Sequence, residues 1–376
     1  MAGIYIHIPF CKTRCIYCDF YSTTRSELKS QYIRALCREL TERKEYLKGE
    51  AVETIYFGGG TPSQLSEDDF KEVFKTIEQV YGTREATEIT LEANPDDLTE
   101  EYTQMLRTLP FNRISMGIQT FDDATLRLLN RRHNAAQAIE AVQRCRQAGF
   151  QNISIDLIYG LPEETDQRWA QDLQQAVILN VEHISAYHLI YEEDTPLYKM
   201  LQQHSVSQVD EDSSLNFFST LIDTLSAAGY EHYEISNFCK PGMYSRHNTS
   251  YWQGIPYLGC GPSAHSFDGD SREWNVASLN QYLSSVEQGQ RLHETEQLDT
   301  RTRYNEYIIT GLRTMWGIST EELKKKFGDR LSKYCLEQAK SYLENGKLEL
   351  HNDRLKLTRE GIFISDGIMS DLLEIE

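Results

Sequence analysis

Two hydrophobic patterns alternate along the first 190 residues of the chain. Short runs rich in Ile, Val and Leu predict six β-strands, at residues 3–8, 52–57, 88–92, 113–117, 153–158 and 183–189. Apolar residues recur at helical spacing between them, at residues 26–47, 67–81, 100–109, 124–129 with 135–148, and 167–179. Ser66 and Thr99 stand directly before two of these segments and are predicted N-caps. Such alternation predicts parallel strands joined by right-handed crossovers.

The number of these units favours one architecture. Six strand–helix units within the first 190 residues fit a partial (β/α)6 barrel of the TIM type better than a complete eightfold barrel, which needs about 250 residues. A doubly wound parallel sheet is the alternative within the same α/β class. Both architectures place functional residues at the carboxyl ends of the strands, so polar residues at those ends become the candidates.

The pattern changes after residue 190. Residues 213–228 have helical spacing, whereas residues 230–275 are rich in Tyr, Gly, Asn and Pro and are predicted to form a long loop region. Helices are predicted again at 301–314, 319–327 and 331–345, followed by short strands at 348–351 and 354–357. We therefore divide the chain into a partial barrel at residues 1–230, a loop-rich connecting region at 231–297, and a small C-terminal, winged-helix-like domain at 298–376.

Composition narrows the function classes. With 40% hydrophobic and 25% charged residues the chain resembles an ordinary globular protein, and its formal net charge of −19 argues against a nucleic-acid partner. No apolar run approaches the ~18 residues that a membrane span requires. The chain contains eight cysteines, and cysteines that bind a metal as thiolates favour a reducing compartment. We therefore expect a cytoplasmic protein without a transmembrane segment; peripheral contact at the inner face of the membrane stays open.

Three cysteines follow the first predicted strand at close spacing. Cys11, Cys15 and Cys18 form a C-x3-C-x2-C pattern, and clustered cysteines are the usual ligands of iron–sulfur clusters. Three ligands for four irons leave one iron open to a substrate or cofactor, as in catalytic zinc sites. Structural zinc and disulfide bonds are the alternatives. Zinc normally takes four ligands, and the other cysteines are scattered singly, at Cys37, Cys145, Cys239, Cys260 and Cys335.

Further polar and glycine residues punctuate the strand ends. A Gly-Gly-Gly-Thr-Pro stretch containing Gly59, Gly60 and Thr61 follows the second predicted strand, where glycines allow a ligand to approach the backbone closely. A tight turn is the simpler explanation. The other candidates each occur near a strand end, where a cap or a satisfied surface group is the simpler explanation for any one of them; they are Glu92, Gln119, Arg131 and Asp156.

The cysteine spacing, with an aromatic residue before the last cysteine, resembles that of the radical S-adenosylmethionine (SAM) superfamily. The resemblance implies a 4Fe–4S cluster that holds SAM at its open iron and cleaves it to methionine and a 5′-deoxyadenosyl radical. Over the whole chain the sequence is similar to the oxygen-independent coproporphyrinogen III oxidase branch. This implies that Tyr5, Gly59, Glu92 and a residue near Ile190 surround the cluster-bound SAM. The residues implied around a second SAM are Tyr17, Gly60, Thr61, Gln119, Arg131 and Asp156.

Two departures from the oxidases point to a sister group. The oxidases have a fourth cysteine where this chain has Phe20, and only ten residues precede Cys11 here. Both features resemble the HemW-type heme chaperones, as does the H-N-x-x-Y-W motif that begins at His247 and ends at Trp252. The resemblance implies heme binding, with His247 as an iron ligand candidate and the aromatics as a porphyrin surface. The simpler explanation is that the motif ties down a loop.

The resulting hypothesis is a radical SAM-type heme chaperone. It would bind a 4Fe–4S cluster, SAM and heme, and pass heme to apo-hemoproteins, with respiratory, membrane-associated ones as the expected clients. An electron donor such as flavodoxin or ferredoxin is implied by the same resemblance. The alternative is a true enzyme, which would decarboxylate coproporphyrinogen III or modify another tetrapyrrole.

Overall fold

One large and one small sheet contain the strands of residues 1–375, the part of the chain that the computed structural model describes. The strands are β1 (Ala2–Ile8), β2 (Val52–Gly59), β3 (Glu88–Ala93), β4 (Arg113–Gln119), β5 (Ile153–Tyr159), β6 (His183–His188), β7 (Glu231–Glu234), β8 (Asn237–Cys239), β9 (Tyr257–Cys260), β10 (His265–Phe267), β11 (Ser271–Asn275), β12 (His293–Gln297), β13 (Ile318–Ser319), β14 (Leu348–His351) and β15 (Arg354–Leu357).

Helices follow most of the parallel strands and form the C-terminal part. They are α1 (Lys29–Glu42), α2 (Glu67–Val80), α3 (Glu100–Arg107), α4 (Asp123–Leu128), α5 (Ala135–Gln147), α6 (Asp166–Leu179), α7 (Pro196–Gln202), α8 (Glu211–Ala227), α9 (Arg246–Trp252), α10 (Leu279–Glu287), α11 (Thr300–Leu312), α12 (Thr320–Glu344), α13 (Arg359–Ile362) and α14 (Ser365–Asp371). Within residues 1–375 no helix combines the length and the apolar character that crossing a membrane would require.

The first six strands pair in sequence order, and every pair is parallel. Each crossover between them carries one or more helices, so the prediction of a partial (β/α)6 barrel is confirmed. The predicted N-caps are confirmed as well: Ser66 forms a capping box with Asp69, and the Thr99 hydroxyl accepts a hydrogen bond from the Tyr102 backbone N–H. Because the strands run in one direction, their carboxyl ends meet at one mouth of the barrel.

The prediction of a loop-rich region at residues 231–297 is wrong. This segment adds strands to both ends of the barrel sheet: β9 pairs parallel with β1, whereas β8 pairs antiparallel with β6. It also contains the helices α9 and α10. These strands have only three to five residues. A run that short shows no measurable period, and its pairing depends on a sheet edge that distant residues provide. The proposed boundaries at 230 and 297 stay predictions.

The C-terminal residues form a small helical unit with a three-stranded antiparallel sheet, in the order β13-β15-β14. The predicted strands at 348–351 and 354–357 are confirmed, as is the winged-helix-like fold class. A separate apolar core holds this unit together. It is joined to β7 by the Arg313 guanidinium, which donates to the buried Glu234 carboxylate at 3.0 and 2.8 Å, and by a Met315 N–H donating to the Tyr233 carbonyl.

Candidate functional site

The three clustered cysteines lie on the loop after β1 and line a cavity of about 470 Å³ at the mouth of the barrel. We call it the cysteine cavity. Residues from the carboxyl ends of β2 to β6 complete its walls, which is the position expected for a site in a barrel of parallel strands. All three thiols are free and partly buried.

Hydrogen-bond donors point at two of the sulfur atoms. The Thr61 hydroxyl lies 3.3 Å from Cys11 Sγ, and Nη1 of Arg131 lies 3.3 Å from Cys15 Sγ. Burial raises the pKa of Cys11, and it raises the pKa of Cys18 to about 11. A metal bound to the sulfur would favour the thiolate, which is the form that ligates. The donors already offer part of the stabilisation that a thiolate needs.

The donor set fits an iron–sulfur cluster better than a single ion. Among residues 1–375, no three His, Cys, Asp or Glu side chains are grouped closely enough to hold one metal ion. Thiolates of a cluster bind different iron atoms, so they need only face one cavity, as these three do. No fourth cysteine lines the cavity in the described part of the chain. The cysteines therefore fit a cluster with one open iron.

The glycine turn at the end of β2, at Gly59 and Gly60, leaves no room for side chains. A Cβ on Gly59 would lie 2.6 Å from the His7 ring, and the residue has a φ of +104°. A Cβ on Gly60 would lie 2.8 Å from the Ile8 carbonyl oxygen, which accepts the Gly60 N–H at 2.8 Å. Such close approach requires glycine. The turn thus presents bare backbone to the cavity.

Two buried carboxyl groups face the interior of the same cavity. Glu92 accepts hydrogen bonds from the Tyr56 hydroxyl at 2.7 Å and from the Gly59 N–H at 3.1 Å. Burial raises the pKa of Glu92 to about 7, and the neighbouring Asp156 acts in the same direction. Burial likewise raises the pKa of Asp156 to about 6. Neither carboxyl forms an ion pair within residues 1–375, so both could accept a cationic ligand.

Arg131 links the cysteine loop to two strand ends. Besides contacting Cys15, its Nη2 donates to Asn94 Oδ1 at 2.8 Å and to the Gly117 carbonyl. Its Nε is buried without a partner in the described residues. Gln119, at the end of β4, has a φ of +73°, a conformation that residues other than glycine adopt rarely. A guanidinium placed here could also receive a ligand carboxylate.

The structure brings together most of the residues that the sequence singles out. The ones that line the cysteine cavity are Cys11, Cys15, Tyr17, Cys18, Gly59, Gly60, Thr61, Glu92, Gln119, Arg131 and Asp156. Tyr5 is not among the lining residues. Its ring stacks on Tyr56, with 6.1 Å between the centroids, and its hydroxyl pairs with His7 Nδ1 at 3.2 Å. Tyr5 thus supports a lining residue rather than lining the cavity itself.

His247 does not occupy the position expected of an iron ligand. It is 1% exposed, and its Nδ1 and Nε2 pair with the hydroxyls of Thr54 and Tyr251, each at 2.8 Å. Burial lowers its pKa to about 3, so the ring is neutral. It lines neither of the cavities described here. The expectation that His247 ligates heme iron does not fit this structure, because both ring nitrogens are engaged inside the protein.

One buried charge near the site was missed by the sequence analysis. Arg113 begins β4, is 1% exposed, and has Nε and Nη1 without hydrogen-bond partners in the described residues. Its charge lowers the pKa of Asp156 and of Glu92, against the effect of burial. The signal was present, because Arg113 is a charged residue at the head of a strand whose Ile114, Met116 and Ile118 predict burial.

A second cavity of about 1010 Å³ lies between α9, β9 to β11 and the C-terminal unit. We call it the aromatic cavity; the sequence pattern does not predict it. Its lining shares no residue with that of the cysteine cavity. Its seven partly buried aromatic side chains are Tyr251, Trp252, Tyr257, Phe267, Tyr307, Trp316 and Phe327. The helix α9 contributes to both cavities, since Asn248 lines the cysteine cavity.

Comparison with known proteins first defines the class. A family profile described as the Radical SAM superfamily matches residues 5–176, and one described as the HemN C-terminal domain matches residues 298–364. The structure is also similar to that of coproporphyrinogen III oxidase (HemN) from Escherichia coli, with a TM-score of 0.85 and 24% sequence identity, covering 99% of this chain and 89% of that one. The fold is that of a radical SAM protein.

The curated relatives then define the family. The chain is 33% identical to the heme chaperone HemW of Bacillus subtilis, over 99% of both chains. It is 34% identical to the HemW of Lactococcus lactis, over 98% of this chain and 96% of that one. A mouse protein, radical S-adenosyl methionine domain-containing protein 1, mitochondrial, is 30% identical over 99% of this chain and 87% of its own. The chain belongs to the HemW family.

Proposed function

We propose that this protein is a radical SAM-type heme chaperone that binds a 4Fe–4S cluster, SAM and heme, and transfers heme to apo-hemoproteins. The observation that carries the proposal is α9, whose motif lines both cavities. Asn248 lies at the cysteine cavity, whereas Tyr251 and Trp252 lie at the aromatic cavity. A cargo site beside a cofactor site, with separate linings, is what a carrier of heme requires. The names of the curated relatives support the same function.

In this proposal Cys11, Cys15 and Cys18 hold the cluster, which when bound supplies single electrons to SAM. Glu92 and the backbone of Gly59 receive the amino group of SAM. A carboxyl that is buried without an ion-pair partner gains from an ammonium, because the cation offsets the desolvation that raises its pKa. Tyr5 is proposed to act near this SAM indirectly, because its ring stacks on that of Tyr56, which lines the cavity.

The remaining lining residues are proposed to surround a second SAM. Arg131 would receive its carboxylate through Nε, the guanidinium nitrogen that has no partner in the described residues. Asp156 would accept ribose hydroxyls or the ammonium, from its position among Ser115 and Ser185. The other residues assigned to this molecule are Tyr17, Gly60, Thr61 and Gln119.

The partners follow from the same family membership. Apo-hemoproteins, with respiratory ones as the expected clients, would receive the heme, and flavodoxin or ferredoxin would reduce the cluster. A cytoplasmic location is part of the proposal, since thiolate-ligated clusters need a reducing compartment. The oxidase alternative is disfavoured by Phe20, which is 64% exposed at the cysteine cavity in the position where the oxidases have a fourth cysteine.

The test compares heme binding with substrate turnover in one anaerobic preparation. Hemin added to reconstituted protein should give a Soret shift, and the loaded protein should pass heme to apomyoglobin. The same preparation, given SAM and dithionite, should leave coproporphyrinogen III intact. Decarboxylation of that substrate without hemin binding would overturn the chaperone function in favour of the oxidase.

A further inference from the structure

The aromatic cavity has the size and surface of a site for a large planar ligand. Its volume of about 1010 Å³ lies at the upper end of the ~300–1,000 Å³ typical of ligand pockets. The aromatic rings are fixed by one another: Tyr251 meets Tyr257 edge to face at 4.6 Å between centroids. Trp316 meets Tyr244 in the same way at 5.4 Å. Rings that are already ordered lose little freedom when a flat ligand packs on them.

The charges of this cavity are the opposite of those of the whole chain. Five cations and two carboxylates belong to its lining, in a protein with a net charge of −19. Two of the cations are neutralised, since Arg272 pairs with Glu306 at 2.7 Å and Arg303 with Asp270 at 2.9 Å. The other three form no ion pair within residues 1–375; they are Lys326, Arg354 and Lys356.

The three unpaired cations come from the C-terminal unit, on α12 and β15. Lys326 Nζ lies 4.8 Å from the centroid of the Tyr307 ring, which places a positive charge against an aromatic face. An acidic protein repels anions at long range, so binding an anion requires a local basic surface of this kind. A planar ligand with carboxylates at its edge matches a lining that combines aromatic rings with unpaired cations.

The lining offers no strong ligand for iron. Within residues 1–375 it contains no His, Cys or Met side chain, and its phenols belong to Tyr251, Tyr257 and Tyr307. Burial raises the pKa of Tyr307 to about 12 and raises that of the other two. The phenols are therefore neutral near pH 7, whereas a tyrosine that ligates iron does so as the phenolate.

We propose that the aromatic cavity binds heme by contacting the faces of the porphyrin ring and the two propionate carboxylates of the porphyrin. No residue of the cavity ligates the iron. Lys326, Arg354 and Lys356 receive the carboxylates, and Trp252 and Trp316 contact the ring. The proposal rests on the proposed heme-carrier function and identifies the heme-binding site. Iron left without a strong protein ligand is free to be bound by the recipient protein.

Titrations with three porphyrins separate the contributions of the ring faces, the carboxylates and the iron to the binding affinity. Hemin, iron-free protoporphyrin IX and its dimethyl ester are titrated against the cluster-loaded protein, with quenching of tryptophan fluorescence as the readout. Protoporphyrin IX should bind within about threefold of hemin, because iron contributes little. The ester should bind at least tenfold more weakly, as expected when charge-assisted contacts worth about 1.5 kcal/mol or more are lost.

A charge-reversal variant locates the site. Arg354→Glu with Lys356→Glu should weaken hemin and protoporphyrin IX at least tenfold and leave the ester unchanged. The matched control is Lys333→Glu with Lys340→Glu, which makes the same charge change on α12 outside the cavity and should change nothing by more than about twofold.

The outcomes separate this proposal from the function on which it rests. Equal hemin affinities of the reversal and control variants would show that heme binds outside the aromatic cavity. That result would contradict this proposal without contradicting the heme-carrier function. Hemin binding without protoporphyrin IX binding would show that an iron ligand dominates and would overturn the proposal. Failure of the unaltered protein to bind hemin would remove the proposed function itself.

Discussion

The cysteine cavity and the aromatic cavity differ in construction and in charge. The first is lined by four carboxylates and two arginines besides its thiols, and lies at the carboxyl ends of parallel strands. The second has five cations and two carboxylates, and is built where α9 and short strands meet the C-terminal unit. SAM carries a sulfonium and an ammonium against one carboxylate, whereas heme carries two carboxylates. Each cavity therefore suits the ligand of opposite charge.

The difference in charge between the cavities suggests how one chain could bind SAM and heme at separate sites. In the proposed function charge would sort them, because the lining of each cavity has the same sign of charge as the ligand proposed for the other. The short helix α9 lies between them and is held by His247, whose backbone N–H donates to Glu88 at 2.9 Å while its ring reaches Thr54 and Tyr251. The H-N-x-x-Y-W motif thus lies between the two cavities and contributes lining residues to both.

Loss of one cluster ligand is the strongest way to break the comparison. Cys15→Ser should reduce the iron content from about four per chain to near zero, because clusters of this kind depend on all three thiolates. The measurement is iron and sulfide content after anaerobic reconstitution. Cys335→Ser is the control, since Cys335 lies in the separate C-terminal core. An unchanged brown chromophore in the Cys15 variant would contradict the cluster assignment.

A methyl group added to the glycine turn should weaken SAM binding without lowering the iron content. Gly60→Ala places a Cβ 2.8 Å from the Ile8 oxygen and from the Pro9 carbonyl carbon, so the turn must move. Overpacking of about 1–3 kcal/mol corresponds to roughly 5- to 150-fold weaker SAM binding by calorimetry. Gly367→Ala is the matched control, because its Cβ would meet no atom within 4 Å. Equal SAM affinities of the two variants would show that the turn does not contact SAM.

The raised pKa of Glu92 predicts a pH-dependent affinity for SAM. Below about pH 7 the carboxyl is largely protonated and cannot attract an ammonium, so affinity should rise as the pH increases through about 7 and level off above that value. Glu92→Gln should flatten most of this rise and weaken binding by roughly 1.5–3 kcal/mol at neutral pH. Asp156, with a pKa of about 6, leaves a smaller slope in the variant. An identical pH profile in both proteins would remove Glu92 from the SAM site.

The smallest effect on ligand binding is expected from His247→Ala. The Soret maximum of the hemin complex should stay in place, because no iron ligand is lost. Thermal unfolding should show a decrease of about 1–3 kcal/mol in the free energy of unfolding, since buried hydroxyls lose their partner. The control, His351→Ala, removes an exposed ring on β14 and should leave both quantities unchanged. A shifted Soret band in the His247 variant alone would restore this residue as the iron ligand.

The sequence predicts the cysteine cavity better than the aromatic cavity, for a physical reason. Strand ends in a parallel sheet meet at one mouth, so Cys11, Glu92 and Asp156 could be grouped from strand positions alone. The aromatic cavity joins Trp252, Trp316 and Arg354, which depend on strands of three to five residues and on the docking of the C-terminal unit. Neither leaves a periodic signal. The burial of His247 was equally invisible, because it follows from the placement of α9.

The central claim is that cofactors and heme occupy separate cavities. The most direct test is the hemin affinity of the Cys15→Ser protein, measured by fluorescence quenching beside the unaltered, cluster-loaded protein, with thermal unfolding as the check that the variant is folded. The claim predicts hemin affinities within about threefold of each other, because the two cavities share no lining residue. Loss of hemin binding together with the cluster, in a folded variant, would show that heme binds in the cysteine cavity and would contradict the account.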